Sequence, residues 1–241
     1  MYQLESPFPE LEVVLPPTQD DLPCEDGEPM ETYRHKLQMD LLVNPLIQWL
    51  VIEQQRGFVG GNMFVYFSPA QVRNQDYKGP DVFAVLDVPV KERKSWVVWE
   101  EGKAPDVVIE LLSPSTANHD KTDKKQIYQN QLRVPEYFWY DPFNPNDFAG
   151  FALHQGRYEP IALDDQGRLI SQSLGLALVR WSGFYQEVET VWLRWSTLEG
   201  VLLPTDREFA QSQQQQAEQE KLRADRLAEK LRDLGIDPEQ I

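Results

Sequence analysis

The sequence predicts an α/β protein: a mixed central β-sheet flanked by helices, with a C-terminal helical extension. Three observations predict it. Short β-rich runs alternate with helical periodicity through the middle of the chain. The run Val107-Val-Ile-Glu-Leu-Leu112 is nearly all apolar and partly β-branched, as expected of a central strand buried on both faces. The last stretch is Gln-rich and then charged, with Ala217, Glu220, Ala224, Leu227, Leu231 and Leu234 three and four apart, the seam of a short coiled coil.

The elements follow in order. Residues 1–30 hold six prolines among acids, a composition that resists helix and strand, and predict an extended arm that packs through Phe8, Leu11 and Val13 to Leu15. From Glu31 to Gln55 the spacing of Leu37, Leu41, Leu42, Ile47, Leu50 and Val51 predicts a helix, kinked at Pro45. Gly57–Gly61 breaks the texture. Strands are then expected at Asn62–Ser68, Asp81–Leu86, Ser95–Trp99 and Asp106–Leu112. A polar helix covers about Asp120–Gln131, a strand Glu136–Tyr140 ends at Asp141-Pro142, and residues 148–203 read as antiparallel hairpins turning at Gln155-Gly156 and Asp165-Gln-Gly167. The expected units are thus an arm over 1–30, a domain over 31–203 and a helix over 204–241.

Composition excludes several classes. The chain has 241 residues, 41% hydrophobic, with 7 Trp, 9 Tyr and 11 Phe, enough for a sizeable core. No apolar run approaches a membrane span, no export signal follows Met1, and the single Cys24 forms no internal disulfide, so a cytoplasmic setting is expected. The net charge is -16. Nine acids and no base fall within residues 1–31, and no basic stripe announces nucleic acid, so DNA is a weak expectation from charge alone. His35, His119 and His154 are too scattered for a zinc set, and no phosphate-binding glycine loop or Gly-x-Ser-x-Gly elbow is present.

The chemistry concentrates in residues 79–141. Asp106 and Glu110 share one strand, where four residues span roughly 13 Å, so the two cannot touch one ion. Glu110 needs a carboxylate from elsewhere, and Asp81, heading the adjacent strand, is the natural candidate. Two hard oxygen ligands on neighbouring strands suit a magnesium ion that keeps several waters. Asp120, Lys124 and Tyr128 are spaced i, i+4, i+8, one stripe on the following helix, which can bring Lys124 within reach of the same place.

These residues carry a resemblance. Gly79-Pro-Asp81, Pro105-Asp-Val-Val-Ile-Glu-Leu-Leu-Ser-Pro-Ser-Thr116, Asp120-x3-Lys124-x3-Tyr128, Pro135-Glu-Tyr137 and Asp141-Pro142 together resemble the Uma-two family of restriction endonucleases, which is similar to the PD-(D/E)xK nuclease superfamily. The resemblance covers about residues 31–203. It implies a restriction-endonuclease-like core in which Asp81 and Glu110 bind a divalent metal, Mg2+ or Mn2+, and a DNA phosphodiester is hydrolysed. Leu112 stands where the superfamily's usual lysine would be, so the lysine role passes to Lys124. Glu31 would correspond to an acid supplied by the first helix, and Glu31, Asp106 and Asp120 are the outer-shell or auxiliary candidates.

Plainer readings stand beside these. Asp81 after Pro80 could simply open a strand, Lys124 could be a solvated helix side chain, Asp120 a charge favouring the helix dipole and Tyr128 a core ring. Glu110 is harder to dismiss, because an unpaired carboxylate in a buried strand is costly. The rival from another class is a catalytically inactive nuclease-fold protein acting as an interaction module; a glycosidase acid/base pair fits poorly, for want of an aromatic sugar platform. A homodimer is expected, through the 217–234 seam or an exposed aromatic edge at Trp181, Trp192 and Trp195. The acidic arm is expected to restrain DNA binding.

Overall fold

The computed structural model of the chain describes residues 15–24, 32–74 and 78–233. Glu31, most of the arm's carboxylates, the apolar arm residues Phe8, Leu11 and Val13, and Leu234 lie outside the described residues.

Thr32 opens helix α1, Tyr33–Leu46, by accepting the His35 backbone N–H on its side chain. Pro45 sits inside the last turn, where it removes one N–H donor, and the chain continues in wider π turns over Ile47–Glu53. Eleven strands follow: β1 Phe58–Gly61, β2 Val65–Tyr66, β3 Val82–Val85, β4 Trp96–Val97, β5 Val107–Leu111, β6 Glu136–Tyr140, β7 Phe148–His154, β8 Arg157–Pro160, β9 Leu169–Ser171, β10 Leu176–Tyr185 and β11 Val188–Ser196. Short helices α2, Pro69–Asn74, and α3, Val98–Glu101, interrupt them. Helix α4 runs over residues 117–132 in alternating α and π turns, and α5, Asp206–Asp233, closes the described chain.

The central sheet has the order β1-β3-β5-β6-β7-β8. Every neighbouring pair is antiparallel except β5 and β6. That parallel pair needs a crossover, and α4 supplies it. All five residues of β5 are buried, the two-sided burial that the apolar run requires. One face of the sheet packs against α1 and the β9–β10–β11 sheet through Ile109, Leu111, Leu42, Leu178 and Trp195. The other face packs Val108, Phe83 and Tyr137 against Tyr128 and Leu132 of α4.

Several expectations are corrected. Phe58–Gly61, expected only to mark the switch to β-like texture ahead of a strand from Asn62, itself forms edge strand β1 against β3, where Gly60 leaves room for the Phe83 ring, 2.3 Å from where a Cβ would stand. The strand expected over Asn62–Ser68 shrinks to Val65–Tyr66, and the one over Ser95–Trp99 turns into α3 after Val97. Trp192 and Trp195 form no exposed edge. Both are buried, Trp195 donating its indole N–H to Leu42 O, while Trp181 lies under the Arg194 guanidinium at 4.8 Å. Leu15 is exposed, and the described piece of the arm is anchored instead by buried Leu22, by Trp99 donating to Pro17 O and by a Lys94–Asp20 ion pair.

Candidate active site

Strand register sets the site. Val82 is opposite Ile109, so in an antiparallel pair Asp81 falls opposite Glu110. Side chains at such positions leave the sheet on the same face, here the face covered by α4. Asp81 Oδ2 accepts the Leu111 backbone N–H at 2.7 Å.

From above, α4 lowers the stripe Asp120, Lys124 and Tyr128 onto this pair. Lys124 Nζ donates to Glu110 Oε2 at 3.0 Å and stands 2.9 Å from Asp120 Oδ1. Tyr128 O–H donates to Glu110 Oε1 at 2.7 Å. Tyr137 on β6 braces the helix by donating to Asp120 O, and its ring lies 5.3 Å from that of Tyr128. Glu110, Asp120 and Tyr128 are buried, Asp81 is half-buried as a residue, and Lys124 keeps 16% of its side chain exposed.

The electrostatics follow from burial. Removal from water pushes Glu110 up to about 8, with Asp81 and Asp120 adding to the rise and Lys124 and the Tyr128 hydroxyl opposing it. Burial likewise raises Asp81, against the pull of Lys124 and the Leu111 N–H. Burial draws the Lys124 ammonium down, but Glu110, Asp120 and Asp81 outweigh it and hold it above its ordinary value. Fully ionised, three carboxylates against one ammonium would leave two uncompensated negative charges in a desolvated site.

That imbalance fits a hard divalent cation. Asp81 and Glu110 offer oxygen donors from opposed strand positions, and Asp120 Oδ1 has no aligned hydrogen-bond donor, Lys124 meeting it only as an ion pair. Among the described residues no set of three His, Cys, Asp or Glu side chains surrounds a point, so two protein carboxylates would be completed by waters and substrate oxygens.

The other expected site residues fall elsewhere. Asp106 stands apart from this group: it sits at the far end of β5, accepting the Leu86 N–H at 2.6 Å and pairing with Lys103 at 2.8 Å. Asp120 is in the group. Glu136, an acid of the quoted motif, braces the β9 turn by accepting from Ser171 Oγ and from the Gln172 and Ser173 backbone N–H groups. Tyr128 was read as a core ring, and it is buried as such, but its hydroxyl also holds the carboxylate. The i, i+4, i+8 spacing with Asp120 and Lys124 was its signal.

The family described as "Uma2: Putative restriction endonuclease" matches residues 21–182. Among solved structures, the chain is similar to a crystal structure titled as a putative nuclease belonging to DUF820 from Anabaena variabilis ATCC 29413. It is 18% identical, with a TM-score of 0.45 over 66% of this chain and 91% of that one. No curated protein matches the chain.

Proposed function

The chain belongs to the Uma2 family, whose description reads "Putative restriction endonuclease", and from that premise we propose that it is a metal-dependent endonuclease hydrolysing DNA phosphodiester bonds at Asp81, Glu110 and Lys124. The observation that carries the reading is the register pair Asp81–Glu110 with the Lys124 ammonium 3.0 Å from Glu110. Asp81 and Glu110 would hold Mg2+ or Mn2+. When bound, such a cation supplies the positive charge that polarises a phosphodiester and lowers the pKa of water. Asp120 fixes the Lys124 ammonium, which can hold an attacking water or meet the charge that builds on the phosphoryl oxygens. Tyr128 keeps the Glu110 carboxylate from rotating.

Nicking of supercoiled plasmid tests this. Wild type should cut with Mg2+ or Mn2+ and stop in EDTA, and Glu110→Gln and Lys124→Met should each lose at least about 100-fold, the scale of removing one group that stabilises developing charge. Cutting undiminished in Glu110→Gln would overturn the assignment and leave the buried cluster as a strut in a non-catalytic interaction module.

A further inference from the structure

A second stripe runs along α4, one residue out of phase with the first. Lys121, Lys125 and Gln129 recur four apart on the helix, and Arg133 follows at its left-handed C-cap, the twelve residues covering about 18 Å at 1.5 Å per residue. A groove of about 310 Å³ on this side is lined by Lys121, Thr122, Lys125, Gln126 and Gln129, with no carboxylate among them. In a chain of net charge -16 that is unusual. Lys121 pairs with Asp147, but among the described residues Lys125 and Arg133 make no ion pair. Aromatic rings hold Lys125 instead: its ammonium is 3.2 Å from the centroid of Phe151 and 5.5 Å from that of Trp139. Such a cradle orders a lysine without neutralising it. Burial draws this ammonium below its ordinary value, as expected of a cation lacking a carboxylate partner.

The stripe adjoins the candidate active site. Trp139, beneath Lys121 and Lys125, is paired with Glu110 in the β5–β6 register. At the far end, Gln129 Oε1 accepts the Tyr158 backbone N–H, which brings β8 and its exposed Arg157 alongside. The geometry thus offers Lys121 and Lys125 on the helix, Arg133 at its C-cap with Gln129 between, and Arg157 on the adjoining sheet edge, beginning beside the acid pair.

We propose that this row, Lys121, Lys125, Arg133 and Arg157, is the track on which the backbone of duplex DNA lies, delivering a phosphate to the lip beside Lys124. The proposal rests on the nuclease reading and names where its substrate docks. A run of regularly spaced phosphates matches these cations, of which Lys125 and Arg133 make no ion pair among the described residues: 18 Å corresponds to about five base pairs at 3.4 Å each. An acidic peptide has no such fixed repeat.

Fluorescence anisotropy of a 20-base-pair duplex with the full chain, in EDTA so that no cutting intervenes, tests the track. Lys125→Gln with Arg133→Gln should weaken binding about tenfold at low salt and reduce the slope of log affinity against log salt by about 1 to 2, since each phosphate contact contributes about 0.9. Because Lys125 also packs on Phe151, Arg133→Gln with Arg157→Gln, both exposed, is the companion variant and should show the same direction with an unchanged melting temperature. Equal affinity and slope in both double variants, beside measurable wild-type binding, would overturn the track while leaving the active-site reading intact. Wild type that binds no duplex yet still titrates Mg2+ would overturn the DNA partner itself, and an acidic protein competing as well as DNA would replace it.

Discussion

Glu110 is the residue on which the account turns. Its folded value of about 8 exceeds the ordinary 4.5, so folding favours its protonated form. The associated stability is fully present below about pH 4.5 and is lost as pH rises through about 8, on the order of a few kcal/mol. Metal-free wild type should therefore melt at a lower temperature at pH 9 than at pH 6. Glu110→Gln, which cannot ionise, should show a flatter profile over that window, and a wild-type melting temperature that rises across it would contradict the assignment. Lys124→Met leaves the Glu110 and Asp120 carboxyls without their shared cation and should cost about 3 kcal/mol in urea unfolding. Asp81, Glu110 and Lys124 were legible in the sequence because an acid in an apolar strand demands partners and the helix spacing offers them. The Tyr128 contact was not, since period alone shows which face a ring occupies but not what its hydroxyl meets.

At the scale of elements, spacing predicted the order of helices and strands, and close packing decided where it failed. Gly60 reads as a breaker in isolation, yet the Phe83 ring lies where a Cβ would project, so glycine here is what admits a strand. Gly60→Ala should destabilise by about 1–3 kcal/mol through overpacking, measured by thermal unfolding. Helix α5 begins at Asp206, within the helix expected over 204–241 and ahead of its 217–234 seam. Thr205 and Glu208 form a capping box, the Thr205 backbone N–H donating to Glu208 Oε2 at 2.8 Å and the Glu208 N–H to Thr205 Oγ1 at 3.3 Å. The same glutamate pairs with buried Arg194 at 2.6 Å, tying the helix to β11. Thr205→Ala should cost about 1 kcal/mol, seen as a lower melting temperature with the fold retained. The Thr-x-x-Glu signature was in the sequence; its link to Arg194 joins residues distant along the chain, which periodicity does not reveal.

Beyond its anchored first turn α5 is exposed along its length, with Leu222 and Leu227 more than half exposed, and no described helix is long and apolar enough to cross a membrane. A homodimer through this helix predicts that Leu227→Glu shifts sedimentation from about 56 to about 28 kDa, twice and once the 28.0 kDa chain mass. A single species unchanged by the substitution would contradict it. Truncation after Gln211, which keeps Glu208 on Arg194, should give the monomer without unfolding the domain. The central claim, that Asp81 and Glu110 form a divalent-cation site, is tested most directly by calorimetric titration of Mg2+ into wild type and Glu110→Gln at one pH. Wild type should show one saturable site per chain and the variant no saturable heat; equal heats from the two proteins would contradict the site.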